Sequence, residues 1–370
     1  MTISIALIVI LVNLSQTLKA DIPISNIITN IERREYIVMI ENVNIRPLQE
    51  SDLPKADRIL RLAFGTFVGL PDPMTFFGDA DIVRTRFLAN PSGALAAEIN
   101  GELVGSNFVT NWGSVGFFGP LSIRPDLWDR GVAKRLVEST INLFEEWGTK
   151  HVGLFTFSHS PKHLGLYQKF GFWPWFLTAV MSKPVDVAVD KRAATATHEN
   201  GLNWSKYSEL TKENQEAECL DACRALTNSI YEGLDLKQEI TAVKTQKLGD
   251  TVLLWNRNNN AEERRLLGLA VCHWGAGSEA GSKTCYVKVG AIQPGHNAGL
   301  FFGHLLNVCE ELAREQGMPS LAAGVNTGRH EAYRKMIAHG FRTDIQGVAM
   351  QRHNEPGYNR PDVYFIDDWR

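Results

Sequence analysis

The feature that most constrains this chain is an internal repeat. A shift of 169 positions superposes Ile123 on Ile292, Pro125 on Pro294, Leu136 on Leu305, Glu146 on Glu315, Gly148 on Gly317, Gly171 on Gly340 and Phe172 on Phe341. The offset stays constant across strand, turn, helix, strand and helix, and the Pro, Gly and Gly-Phe matches fall at element boundaries. Such a period is too long for a solenoid repeat, so the pattern reads as two copies of one unit. A chain of 370 residues has room for two cores of about 150 residues each, with extra segments.

The elements follow from residue pattern. Asn44 to Leu48 reads as a first strand, and Ser51 with Pro54 opens a helix whose Leu53, Ala56, Leu60, Ala63 and Phe64 form one apolar stripe. The stretch from Phe67 to Asn90 lacks periodicity and reads as a loop with one helical turn after Asp79 or Asp81. Asn100-Gly101 is a hairpin signal between Ala94–Ile99 and Glu102–Trp112. Val115 to Ile123 supplies the next strand, followed by a helix from Gly131 to near Gly148, a strand at Val152–Phe157, a helix opened by Ser160-Pro161, and a strand from Phe172. This order predicts an α/β unit with a mixed sheet, in the α+β sense of antiparallel strands joined to a parallel pair. A helix from Lys212 to Tyr231 and strands at Thr251–Trp255, Leu266–Trp274 and Cys285–Ile292 begin it again.

The expected division is a leader or extension over 1–38, a first domain over 39–183, a linker over 184–202, and a second domain with a C-terminal tail over 203–370. The apolar run Ile3–Leu14 is shorter than a stable membrane span and lacks a basic residue ahead of it. It leaves a secretory signal open, while folding is expected to start near Met39. In the tail, Trp369 offers a docking ring to a terminus that otherwise tends to be mobile.

Chemistry is expected between Leu121 and Leu136. An apolar strand end, Leu121-Ser122-Ile123, runs into a turn with Pro125 and Gly131, and an amphipathic helix follows at once. Fresh helix N–H groups at a strand end make an anion seat. Arg130 and Lys134 add positive charge, and Gly131 and Ala133 keep the approach open. In the second copy Gly131 maps to Leu300 and Ala133 to Phe302, so close approach of a phosphate is obstructed there.

The formal net charge of −3, with no Lys/Arg run, argues against nucleic acid or an anionic membrane as partner. Five cysteines form no CxxC pair, which fits a reducing compartment and gives no structural zinc site, although Cys219/Cys223 and Cys272/Cys285 are spaced so that either pair could bond. No GxGxxG follows the first strand, which removes a nucleotide-binding oxidoreductase.

The turn Trp128-Asp129-Arg130-Gly131-Val132-Ala133 resembles the Gln/Arg-x-x-Gly-x-Gly/Ala turn of the GNAT superfamily of N-acetyltransferases, with Trp128 where the family has Gln or Arg. The later run Leu166-Tyr167-Gln168-Lys169-Phe170-Gly171-Phe172 resembles that family's Tyr ahead of Gly-Phe. The likeness extends over residues 42–182, with 203–350 as a degenerate copy, so it implies two tandem GNAT-like domains. It further implies acetyl-CoA as cosubstrate, with Leu121, Ser122 and Ile123 holding the pantetheine arm and Asp129, Arg130, Gly131, Val132, Ala133 and Lys134 holding the pyrophosphate. Tyr167 would then donate a proton to the departing thiolate, and an amine of a small molecule or peptide would attack the thioester directly.

The general base is not identified by pattern; Asp79, Asp81, Glu98 and His159 are the candidates. Ser158, His159 and Ser160 stand where the family often has a cofactor-binding Asn. A cytoplasmic enzyme is the expectation, with a homodimer left open and no stable membrane span. The rival reading is a non-catalytic acyl-CoA-binding or scaffolding protein. The phenylalanines between Phe67 and Phe77 hint at an apolar wall for the acceptor.

Overall fold

Alternation of apolar residues builds a sheet with two buried faces. The structure, a computed structural model, describes residues 43–188, 202–256 and 265–370. The leader over 1–38, Met39 and most of the expected linker lie outside the described residues. In chain order the first half runs β1 (Val43–Pro47), α1 (Leu53–Phe67), α2 (Ile82–Ala89), β2 (Ala94–Ile99), β3 (Glu102–Trp112), β4 (Val115–Phe118), β5 (Ser122–Ile123), α3 (Val132–Glu146), β6 (His151–Phe157), α4 (Pro161–Gln168) and β7 (Phe172–Pro184). The second half runs β8 (Leu202–Lys206), α5 (Glu213–Ile230), α6 (Lys237–Thr245), β9 (Gly249–Asn256), β10 (Leu266–Gly275), β11 (Gly281–Ile292), α7 (Ala298–Glu315), β12 (Ser320–Asn326), α8 (His330–Ala338), β13 (Arg342–Arg352) and β14 (Phe365–Ile366).

Local chemistry explains most boundaries. Asn100 and Gly101 both take positive φ, as a type I′ hairpin needs. Ser160 caps α4 by accepting from the His163 N–H, with Pro161 in the first turn. Two expectations change. Asp81 caps a helix of eight residues rather than one turn, its side chain accepting from the Arg84 N–H at 3.0 Å. The strand expected over Val115–Ile123 is broken by a cis Gly119–Pro120 peptide, because Pro120 has no N–H for the ladder and the chain turns away before pairing again with β3. Helix α6 carried no strong sequence signal. The five cysteines are unbridged and buried, so neither of the two pairings that the spacing allows is formed.

One sheet runs through the whole molecule in the order β1-β2-β3-β4-β6-β13-β7-β12-β11-β10-β9-β8. Read from either end, it meets the same sequence of pairings: three antiparallel, one parallel, then an antiparallel contact with a strand from the other half. The last strands are exchanged. β13 lies beside β6, β7 lies beside β12, and the two exchanged strands pair with each other at the centre. The offset seen in the sequence reappears in the registers: Val115↔His151 is matched by Thr284↔Ser320, and Leu154↔Met350 by Ala323↔Met181.

In β2, Leu95 and Ala97 join the core beneath α3 and α4, while Ala94 and Ala96 join the core beneath α1 and α2. In β13, Val348 and Met350 lie on the α3/α4 side, and Ala349 lies on the side covered by α5 and α6. Thus α1, α2, α5 and α6 cover one face, and α3, α4, α7 and α8 cover the other. Among the described residues, no helix is long and apolar enough to cross a membrane.

Because each half completes its sheet with a strand of the other, calorimetry should give one cooperative unfolding transition. Residues 40–188 expressed alone should not unfold cooperatively; two resolved transitions would overturn this. Acid should weaken the fold before carboxylates titrate. Burial pushes His151 and His273 down to about 4. The unfolded chain therefore binds protons first, and each histidine should withdraw up to about 3 kcal/mol between roughly pH 6.5 and pH 4. Denaturant melts across that range test the loss, and NMR midpoints near the ordinary histidine value would refute it.

Candidate active site

The site forms where two parallel strands part. β4 pairs with β6 from Val115↔His151 to Phe118↔Leu154. Beyond Phe118 the chain turns through Gly119–Pro120, and β5 pairs back to β3 through Ser106 and Gly105. β6 instead continues to Phe157 beside β13. A cleft of about 580 Å³ opens here, lined by Leu121, Ile123 and Phe157, the turn at Leu127–Asp129, the start of α3 and the first turns of α4, with Ala63, Phe64 and Phe67 of α1 at its far end.

Gly131 stands just before α3 with φ of 79°, a left-handed conformation that costs a residue with a side chain about 1–2 kcal/mol. The helix that follows directs its first N–H groups to the cleft, and Val132, Ala133 and Lys134 line it. Lys162 of α4 and Lys169, just past its end, line it too. Asp129 is held by Lys162 at 2.8 Å. With three lysines and one carboxylate, the outer cleft favours an anion.

Trp128, the departure from the expected Gln or Arg, acts as a clamp: its Nε1–H donates to the Ile123 carbonyl at 2.8 Å, and Lys162 Nζ lies 5.4 Å from its ring centroid. Ser122 turns its hydroxyl into the sheet, 3.3 Å from that of Ser106, and is not among the described residues that line the cleft. Arg130 lies in the turn between Asp129 and Gly131. Tyr167 is 8% exposed, on the buried side of α4, edge-on to Phe118 at 5.7 Å between ring centroids. Burial pushes its phenol pKa well up, so it stays protonated at neutral pH.

The carboxylates weighed as bases have other work. Asp79 accepts from the Ser282 N–H at 3.0 Å, Asp81 caps α2, and Glu98 pairs with Arg46 at 2.8 Å. His159 packs beside Phe67 and Phe157. Its neighbour His163, passed over in the sequence, lines the cleft with its ring 4.8 Å from that of Phe67. Burial, then the charges of Lys162 and His159, lower the His163 pKa. The Ser160-Pro161 cap was the available signal, since it fixes which residues of the first turn face the cleft.

The corresponding opening in the second half is filled by the chain itself. β14 pairs with Gly290 and Ala291, the shifted counterparts of Leu121 and Ser122, and the Ile292 N–H donates to the Tyr364 carbonyl at 3.1 Å. On the other side, Gly324 of β12 leaves so little space that a Cβ there would lie 2.2 Å from that of Asp368. Phe302, counterpart of Ala133, is 0% exposed and packs its ring 5.3 Å from Tyr364. Leu300, expected to obstruct, is instead 49% exposed, so the obstruction comes from Phe302 and the tail. Trp369 docks the tail onto the first half by stacking on Phe117.

A buried charge network joins this tail to the lip of the open cleft. Arg86 donates to the Gly119 carbonyl at 2.6 Å, to Glu279 at 2.8 Å, and to the Arg370 carbonyl. Lys288 bridges Glu279 at 2.6 Å and Glu239 at 3.0 Å. Burial raises the Glu279 pKa, but Arg86 and Lys288 outweigh it and hold the carboxyl well below the usual range. Arg86→Met should therefore cost about 3–5 kcal/mol, because it leaves two buried carboxylates, Glu279 and Glu239, sharing the single charge of Lys288. Denaturant melts check this, and a loss below about 1 kcal/mol would count against the network.

Comparisons with known proteins bear on the family and the fold. Residues 58–172 match the model of the acetyltransferase (GNAT) family. A putative acetyltransferase from Pyrococcus horikoshii superposes with a TM-score of 0.60 at 13% identity, over 89% of this chain and 95% of that one. A GCN5-related N-acetyltransferase from Sphaerobacter thermophilus gives 0.51 at 13%, over 85% and 97%. The GCN5-related glucosamine N-acetyltransferase region of a fungal multi-domain β-N-acetylglucosaminidase gives 0.55 at 12%, over 84% and 38%. A comparison with curated proteins finds no match. At these identities the solved structures speak for the fold alone, and residues 58–172 are the segment that is similar to the acetyltransferase (GNAT) family.

Proposed function

We propose that the protein is an N-acyltransferase that moves an acetyl group from acetyl-CoA to an amine of a small molecule or peptide. The observation that carries this reading is the parting of β4 and β6 with the N-terminus of α3 at its mouth. The backbone of Leu121, Ser122 and Ile123 would hold the pantetheine arm. Asp129, Arg130, Gly131, Val132, Ala133 and Lys134 would hold the pyrophosphate, with Lys162 adding charge. The left-handed Gly131 and small Ala133 leave room for that approach.

The thioester supplies an activated acyl carbon: a C–N bond forms to the amine, the C–S bond breaks, and the sulfur leaves as a thiol with one proton. The chain contributes position and proton handling. Holding both substrates in one cleft replaces a bimolecular encounter. His163, kept neutral by its lowered pKa, takes up the amine proton. Tyr167, kept protonated by burial, gives a proton to the sulfur. Residues 39–183 then carry the reaction, while 203–370 form a copy that binds no cofactor and braces the first. Five unbridged thiols fit a cytoplasmic setting.

A second reading, a non-catalytic acyl-CoA-binding protein, is favoured by the side to which Tyr167 turns, toward Phe118 and away from the lining of the cleft. Thiol release with a panel of amines, alongside calorimetric binding of CoA, separates the two. Gly131→Leu should lower CoA affinity at least a hundredfold, whereas Leu300→Ala should leave it unchanged. Tyr167→Phe and His163→Asn should each lower kcat by about 10²-fold or more with CoA affinity retained. Saturable CoA binding with no turnover of any amine would establish the binder instead.

A further inference from the structure

Resting on that reading, the far end of the cleft points to the class of acceptor. The cofactor arm enters over the turn at 128–134, on the face covered by α3 and α4. An amine therefore has to reach the reacting carbon from the α1 side. Two segments distant in the chain bring phenylalanines together there. Phe64 and Phe67 come from the end of α1 and Phe157 from the end of β6, and all three line the cleft. Phe67 packs on Phe157 at 4.9 Å, and Phe64 stands 6.5 Å from Phe157 between ring centroids. Behind them Phe76 stacks on Phe64 at 5.6 Å, with Phe77 edge-on to Phe76 at 4.3 Å. Rings braced in this way form a fixed wall.

The charges complete the case. The charged side chains lining the cleft are Lys134, Lys162, Lys169 and Asp129. Asp129 is committed to Lys162 at the outer turn, so among the described lining residues no carboxylate stands beside the aromatic wall. A polyamine or aminoglycoside would bring a second ammonium group into that end and lose its hydration without a counter-charge. We infer that the acceptor is a primary amine on an aromatic or branched apolar body that carries no second cationic group. Its reacting nitrogen deprotonates toward His163 while its body lies against Phe64, Phe67 and Phe157.

The test is thiol release from acetyl-CoA with 2-phenylethylamine, isopentylamine, ethanolamine and spermidine, repeated with octanoyl-CoA. The inference expects kcat/KM for the two apolar amines to exceed that for ethanolamine and spermidine by tenfold or more. Phe64→Ser should narrow that gap while CoA affinity stays within threefold. Turnover of spermidine or ethanolamine on a par with 2-phenylethylamine would overturn the inference and leave acyl transfer standing. So would a tenfold preference for octanoyl-CoA over acetyl-CoA with every amine, since the wall would then belong to the acyl chain. CoA binding with no turnover of any pair would overturn both readings together.

Discussion

Everything in this fold depends on the antiparallel contact between β7 and β13 at the centre of the sheet. Each strand crosses to the other half, β7 pairing with β12 and β13 with β6, so neither half has a finished sheet by itself. The exchange leaves no unpaired edge between the halves, where a long exposed strand would invite association with other chains. It also fixes the halves in one orientation. That rigidity lets residues of the second half, Glu279 and Arg370, act on Arg86 and through it on Gly119 at the lip of the cleft.

The two halves form a natural comparison, because the same register produces an opening in both. In the first, the parted strands leave the backbone at Leu121 and Ile123 along the lining of a cleft. In the second, the equivalent groups of Gly290 to Ile292 are satisfied by Tyr364 to Ile366. Buried backbone groups need partners. An open cleft can draw them from a ligand or from water, and a closed one has drawn them from its own chain. Phe302 and Tyr364 complete the closure with a ring packed against a ring.

Much of this architecture was legible in the sequence. The constant offset reappears in individual pairings, because Pro and Gly at element ends are local constraints that survive when packing residues drift. The turn before α3 was legible for the same reason: Gly131 sits where a positive φ is required. What escaped was non-local. The exchange of β7 and β13 leaves the order of elements unchanged, so no pattern along the chain distinguishes it from two separate sheets. Phe64, Phe157 and His163 each look like packing residues, and only the folded sheet brings them to one cleft. Leu300 illustrates the converse: a position aligned by number turned outward, and its neighbour Phe302 filled the space.

The central exchange also has a consequence for how the chain is made. β6 must wait for β13, nearly half the chain later, before its free edge is covered. At ribosomal speeds of roughly 5–20 residues per second, that wait lasts on the order of ten to forty seconds. During it the nascent first half carries an unpaired strand beside the future site. The tail that closes the second opening emerges later still, so the cleft and its sealed twin reach their final state only as synthesis finishes.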